Sequence, residues 1–576
     1  MVFLFAASLL LRNSVIGGCS RACRQAFRCC YRTFYLYSRV YNPPHLGRTN
    51  SVLSLSSIMP HVAIIGGGIS GLSLAWFLRL AHAGTSRAKN CIGATKNYEP
   101  LRISVVESSK RLGGWVRTDR IDGHILERGP RGFRPKGNGV ETLKLIESLG
   151  LQGATIAPSM KSSNRFVYSE NELQKLPSSL VDIFLKPPPV MKGVVRTIAT
   201  EFLRPKNKTK KDESIYDFVS RRLSKDIANS LVDAMISGIY SGDIKKLSVR
   251  SCSPLNKLWE YEQAHGSIVK GMVMPLFQTH QDVKQESNPS SFVQKMQKAP
   301  QVSFINGMEH LTETLGKKLA GNSDTTIYTN FECISVEQKK QKMKLILQDH
   351  SHVNKDAQII EEFDHVFSTI PANKLMGALP QLSSLQRAKS LLNQMKHTVN
   401  VAVVNLVYKH PKLINEDGFG YLVPSKEKED ILGVAWDSSI FPTQIDPHTF
   451  KGNQLDEFNN TSRVTVMIGG ANYPEVSTKS EDELIDLAVS KFTQHLGIDG
   501  EKHIPEIKVA GIMHECIPQY HVGHHEKLED LEATLTENFP QLTFLGTSFY
   551  GVGISDCVAN AKAIADKYVG SNFCTN

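Results

Sequence analysis

Gly66, Gly68 and Gly71 form G-x-G-x-x-G inside "VAIIGGGISGLSLAWFL", residues 62–78. Each glycine answers a different steric demand. A Cβ at Gly66 would obstruct a tight turn, one at Gly68 would block close approach of a pyrophosphate, and one at Gly71 would push a helix off its strand. The free N–H groups and dipole of a helix starting there favour an anionic pyrophosphate. An acid closing the next strand would hold ribose hydroxyls, and Glu107 ends "LRISVVE". It lies about 36 residues beyond Gly71, against a usual spacing of roughly 20, which predicts an insertion.

These residues need a strand, a helix and a second strand to carry them. Residues 61–65 read as a buried strand, and 70–83 as a helix with Leu72, Trp76 and Leu80 on one face. The polar stretch 84–100 reads as the inserted loop and 101–107 as the second buried strand, which opens a βαβ unit. A helix is predicted over 139–149, with Val140, Leu143, Ile146 and Leu149 in phase and Gly150 as its stop. Residues 301–320 read as a helix, followed by strands near 325–336, 343–348 and 364–369. From about 397, "VNVAVVNLVY" and "RVTVMIGG" read as strands of a second sheet. The chain closes on a strand, "LTFLG", a Gly-rich turn and a helix in which Ser555 or Asp556 can act as cap.

The 576 residues exceed one simple core and predict two or three domains. Formal charge is +11, but residues 1–60 hold seven Arg and no Lys, Asp or Glu, so the rest is near +4. No interleaved basic and aromatic stripe suggests a nucleic-acid groove. The Arg- and Ser-rich, acid-free leader has the marks of an organellar presequence, read as mitochondrial, and Met59 directly precedes the first strand. A secretory signal is the rival reading, since "VFLFAASLLL" is an apolar run, but it lacks a basic n-region and Arg12 closes it. Four of ten Cys lie in that leader and the others are scattered without CxxC spacing, which argues against a disulfide framework or a zinc site. His514, His521, His524 and His525 crowd one segment, but their spacing fits no standard metal set.

The continuation "ESSKRLGGWVRTDRIDGHILERGPRGFRP" (107–135) resembles the FAD-binding start of amine-oxidase-like flavoproteins. "LGGW" with "GPRGFRP", then "GFGYLVPS" (418–425) and "HECIPQYHVGH" (514–524), narrow the resemblance to the protoporphyrinogen oxidase family. It spans nearly the whole chain after residue 60. The family's fold implies a Rossmann-like α/β FAD-binding domain, a mixed-sheet substrate domain and a helical membrane-binding insertion. Mapped onto this chain, that gives a leader at 1–58, FAD-binding parts at 60–160, 301–375 and 511–576, a helical membrane-facing domain at 161–300 and a substrate-binding domain at 376–510.

The resemblance implies noncovalent FAD, held by Gly66, Gly67, Gly68, Ile69, Ser70, Gly71, Glu107, Ser108, Trp115, Gly129, Pro130, Arg131, Gly132, Thr547, Val552, Gly553 and Ile554. The turn "GTSFYGVG" has no Cys for a covalent tether, and Cys557 reads as core. Arg165 matches the family's carboxylate-binding Arg, and Phe419 and Met467 match walls of its slot. The implied reaction is oxidation of protoporphyrinogen IX to protoporphyrin IX with dioxygen as acceptor and hydrogen peroxide as product, the penultimate step of haem synthesis. Implied partners are the mitochondrial inner membrane, met through the apolar and basic segment 180–211, a second copy as homodimer, and ferrochelatase for handover. No catalytic base is assigned and no metal is expected. Two departures stand out: Ser237 where some animal relatives carry Arg, and Asn306 where the family tends to have Gly. An amine or polyamine oxidase, and a non-catalytic porphyrin or flavin carrier, are the alternative readings.

Overall fold

The computed structural model describes residues 59–91, 100–178, 182, 187–207, 209, 211–277, 289–351, 358–446 and 460–573. The leader lies outside them, as do residues 92–99 of the expected loop and Val181, Ile183, Phe184, Leu185, Lys208 and Lys210 of the apolar-basic segment. Residues from Met59 onward form one compact unit.

In chain order, the first elements that bear on the site are β1 (His61–Ile65), α1 (Ile69–Cys91), β2 (Arg102–Glu107), the hairpin β3 (Thr118–Ile121) and β4 (His124–Glu127), and α2 (Gly139–Leu149). β5 (Phe166–Ser169), α3 (Val194–Thr200), α4 (Asp233–Tyr240), β6 (Thr325–Thr329) and β7 (His365–Ser368) follow. The remainder are β8 (Thr398–Tyr408), β9 (Gly420–Leu422), β10 (Ile431–Ala435), β11 (Ser462–Gly469), α5 (Glu481–Leu496), β12 (Ile507–Pro518), α6 (His524–Asn538), β13 (Leu542–Phe544) and α7 (Ile554–Phe573).

Two sheets organise the chain. The first has five strands in the order β13-β7-β1-β2-β6, all parallel. Its central strands are apolar on both faces, as helix-covered parallel strands must be. α1 and α7 cover one side, with Leu72, Phe77 and Leu78 packed in one core with Val558, Ala561 and Ala565. The second sheet has seven strands, ordered β12-β8-β11-β10-β9-β5 and an edge strand, Glu172–Lys175. It is mixed: only the β9–β5 pair is parallel. α5 fills one of its faces, where Leu484, Ala488 and Phe492 meet Val404, Val434, Val464 and Val466. α5 itself begins on a capping box between Ser480 and Glu483.

Several expectations are corrected. α1 runs through Cys91, so residues 84–91 are helix rather than loop. No proline interrupts this stretch, and Gly84 costs a helix only about 1 kcal/mol, so the helix continues without an apolar pattern. Leu80 is exposed, whereas Leu74, Ala75 and Phe77 join Leu72 inside, because the helix is covered on more than one side. The helix expected over 301–320 starts only at Glu309: Gly307, at φ +85°, breaks the chain after a short strand at Ser303–Phe304. That turn also explains why Asn306 is accommodated, since Gly307 takes the left-handed conformation. Neither expected cap serves α7. The Gly553 carbonyl accepts from the Asp556 and Cys557 amides, the Ser555 hydroxyl donates to the Arg134 carbonyl, and Asp556 accepts from the Asn138 amide.

Candidate functional site: a nucleotide cradle beside an apolar sheet face

The glycines at the end of β1 separate into two kinds. A Cβ at Gly71 would lie 1.9 Å from the Gly66 carbonyl oxygen, and one at Gly66, whose φ is +107°, would lie 2.4 Å from Thr369 Oγ1. One at Gly67 would lie 2.7 Å from the Leu112 side chain. These three are filled by protein. A Cβ at Gly68 would meet only the Cα of Gly114, at 3.9 Å. The hollow between Gly68 and Gly114 therefore lies open at the first turn of α1, where Ile69 and Ser70 carry amides without intrahelical acceptors. Glu107 stands at its edge, accepting from the Gly67 amide at 2.8 Å and from the Ser109 amide and hydroxyl at 2.8 and 2.7 Å. Ser108 is exposed beside it. An open hollow, unused amides and a fixed acid fit a pyrophosphate with its ribose.

The next wall comes from the loop after β2 and the turn after β4. Trp115 is exposed, and the backbones of the two segments touch: a Cβ at Gly129 would lie 2.0 Å from the Trp115 carbonyl. Gly132 is similarly closed by Val302. Pro130 lies half-buried between them, while the Arg131 side chain turns away to pair with Asp437 at 3.0 Å. The turn Gly546–Gly553 leads into α7, whose Cys557 meets Ser70 in the first turn of α1. In that turn Thr547, Val552 and Gly553 are half-buried, and Ile554 begins α7. Cys557 is buried; its thiol faces Ser70, and burial raises it to about 11.

Sequence reasoning missed Arg128. It bonds the Ala510 carbonyl at 2.6 Å, pairs with Asp119 at 3.2 Å, and lines a cavity of about 140 Å³ with Arg111, Gly114, Trp115, Gly511 and Met513. A Cβ at Gly511 would meet the Arg128 guanidinium at 2.6 Å. A glycine inside a long strand is the signal that could have found it, because such a glycine marks a close approach.

From Gly511 a row of paired residues crosses the face of the second sheet opposite α5. Gly511, Val403, Met467, Gly433, Leu422 and Val167 are register partners from β12 to β5. Five strand steps at ~4.8 Å make this row about 24 Å long. Met467 packs there with Val399, Val401, Leu432 and Met513. α4 lies over the far part: a Cβ at Gly238 would lie 2.7 Å from the Leu422 side chain.

Arg165 precedes β5 at that far end. Its carbon Cζ lies 4.3 Å from the centre of the Phe419 ring, and its Nη1 bonds the Ser162 and Asn164 carbonyls at 2.5 and 3.1 Å. No carboxylate pairs with it among the described residues, and burial lowers its pKa to about 10. A half-buried guanidinium with only carbonyls and a ring for company is a ready partner for an incoming carboxylate. The structure thus brings Arg165 and Phe419 together and puts Met467 on the same sheet face. Ser237 is buried in α4 and lines a separate cavity of about 330 Å³ with Val423, Pro424, Lys428 and Asn472.

The cradle and the sheet face are tied by buried polar groups. Asp437 pairs with Arg131 and accepts from the Thr465 hydroxyl at 2.5 Å. Glu127 accepts from the Met308 amide and the Thr118 hydroxyl, and its carbonyl accepts from Asn405 of β8. Burial raises the Glu127 carboxyl to about 7. The clustered histidines diverge. His521 lies against His397, the His524 ring stacks on Tyr520, and His514 is exposed. No group of three metal-ligating side chains converges among the described residues.

Residues 69–567 match the family model for flavin containing amine oxidoreductases. The chain belongs to that family, and with it comes the class: a flavin-dependent oxidoreductase. Among curated relatives it is 33% identical to human protoporphyrinogen oxidase over 523 residues, covering 88% of this chain and 98% of the relative. It is 31% identical to the protoporphyrinogen oxidase of Dictyostelium discoideum, covering 89% and 99%. Among solved structures, one from Exiguobacterium sp. 255-15, provisionally named a protoporphyrinogen oxidase, has the same fold with a TM-score of 0.68 at 21% identity, covering 88% of this chain and 98% of that one.

Proposed function

We propose that this chain oxidises protoporphyrinogen IX to protoporphyrin IX with noncovalently held FAD and dioxygen, the penultimate step of haem synthesis. The observation that carries the reading is Arg165, half-buried, unpaired by any acid among the described residues and set against Phe419 at one end of an apolar sheet face. A flat substrate with propionates on one edge suits that arrangement. Arg165 would hold a propionate, while Phe419, Leu422 and Met467 would line the macrocycle's path toward the cradle. The hollow between Gly68 and Gly114, the first turn of α1, Glu107 and the turn before α7 would hold the dinucleotide. Bound there, FAD supplies a hydride acceptor that dioxygen can regenerate with release of hydrogen peroxide. Aromatisation drives the reaction, so the walls need to orient the substrate and exclude water more than supply a strong base.

The remaining partners are part of the same reading. Phe202 and Leu203 are exposed beside Arg204 in the helical insertion, a pattern suited to an anionic membrane surface. No helix among the described residues is long and apolar enough to cross a membrane. Peripheral attachment to the mitochondrial inner membrane, a homodimer and transfer of product to ferrochelatase complete the proposal. Hydrogen peroxide release is the test. Purified enzyme should produce it with protoporphyrinogen IX and not with putrescine or benzylamine; production with the amines alone would return the amine oxidase reading.

A further inference from the structure

The segment "QYHVGHH" after β12 has no place in the site described so far, yet two of its rings reach the turn before α7. Tyr520 is 2% exposed. Its hydroxyl donates to the Thr547 carbonyl and accepts from the Gly551 amide at 2.8 Å. The His524 ring stacks on it, with centroids 4.1 Å apart and planes 23° apart. His524 Nε2 lies 3.1 Å from the Phe549 carbonyl. A carbonyl can only accept, so that nitrogen carries the proton; burial, which lowers the ring's pKa to about 4, keeps the imidazole neutral. Three main-chain groups within five residues of one turn are therefore held by two stacked rings from another segment. Gly551, at φ +124°, shows why the turn needs holding, since its backbone sits where few residues rest.

The rings are themselves fixed. The Gln519 side chain donates from Nε2 to the Tyr240 carbonyl at the end of α4 at 2.8 Å, and the Ser248 backbone amide donates to the Tyr520 carbonyl at 2.8 Å. The Tyr240 ring meets Tyr520 edge-on at 6.4 Å. α4 is the helix that lies over Leu422 on the substrate face. One residue thus contacts both the substrate-side helix and the cofactor turn.

We propose that Tyr520, backed by His524, is a positioning residue for the flavin: it sets the backbone of the 547–551 turn and so the contacts that turn makes with the cofactor. This rests on the reading of that turn as a flavin wall. The test compares wild type with Tyr520→Phe and His524→Phe, each of which keeps a ring while removing hydrogen bonds to the turn. Tyr408→Phe is the control, because the buried Tyr408 hydroxyl has no partner among the described residues. Flavin release, followed by the rise in free-flavin fluorescence, should be at least tenfold faster in Tyr520→Phe and about threefold faster in His524→Phe. The visible flavin bands should shift in both and stay unchanged in Tyr408→Phe. Wild-type release and bands in both test variants, with only the melting temperature lowered, would overturn the clamp. Wild type that binds no flavin at all would overturn the reading of the turn itself.

Discussion

The glycine cradle and the sheet face proposed for the substrate are built on opposite plans. The cradle is a backbone object: at Gly66, Gly67 and Gly71 an added methyl meets other protein atoms at under 3 Å, and only Gly68 opens on space. The substrate face is a side-chain object. Its row of six residues comes from six strands, and Arg165 at its far end sits against a ring contributed from more than 250 positions away. A backbone object tolerates almost no change but can be recognised from a short motif. A side-chain object tolerates change and is invisible until the strands are in register.

Substitutions can break that contrast or sharpen it. The largest effect is expected at Gly71. A Cβ 1.9 Å from a carbonyl oxygen cannot be relieved without moving β1 from α1, so Gly71→Ala should cost more than about 4 kcal/mol and give little soluble protein. Soluble, normally melting Gly71→Ala would show that the cradle is not backbone-limited.

Glu127, which joins the two regions, comes next. Its folded pKa of about 7 lies above its ordinary 4.5, so the folded chain keeps a proton that the unfolded chain has lost. This contribution to stability is complete below about pH 4.5 and is lost as pH rises to about 7, amounting to about 3 kcal/mol at most. Glu127→Gln has no proton to lose. Its denaturant-measured stability relative to wild type should therefore climb across that window and level off above it. A flat difference between the two proteins would mean that Glu127 is ionised in the fold.

Two further substitutions test opposite ends of the site. Gly68→Ala meets only the Gly114 Cα, at an ordinary contact distance of 3.9 Å, so melting should be unchanged while flavin affinity falls by about 2 kcal/mol, or roughly thirtyfold, by titration of the apoprotein. Arg165→Met should spare the flavin spectrum and lower kcat/KM for protoporphyrinogen about tenfold to thirtyfold, as expected for losing one charge-assisted hydrogen bond. Met467→Ala, on a half-buried wall, should have the smallest effect: about 1 kcal/mol, read as a few-fold rise in KM with kcat kept. Equal loss in Arg165→Met and Met467→Ala would dissolve the distinction between a charged end and an apolar floor.

What could be read from the sequence follows the same division. The strand at 61–65, the helix at 139–149 with Gly150 in the left-handed conformation, and the glycine turn were legible because local sterics decide them. The end of α1 was not, because residues 84–91 carry no apolar period, yet the helix continues to Cys91. The caps expected at Ser555 and Asp556 failed for a tertiary reason: Arg134 and Asn138 compete for both side chains. Arg131 likewise reads as a cradle residue from its motif, yet its side chain is taken by Asp437 across the boundary between the sheets. Of the row from Gly511 to Val167 only Met467 was reached, through the family resemblance; the rest could not be read, since register between distant strands is set by the packed core and not by any local pattern.

The central claim is that flavin and porphyrinogen occupy these two regions side by side. Anaerobic mixing of the purified yellow protein with protoporphyrinogen IX tests it most directly. The flavin band near the visible blue should bleach as porphyrin absorbance appears, and should return on admission of air, with the bleaching slowed in Arg165→Met. A flavin band that stays unchanged while protoporphyrinogen is bound would contradict the account.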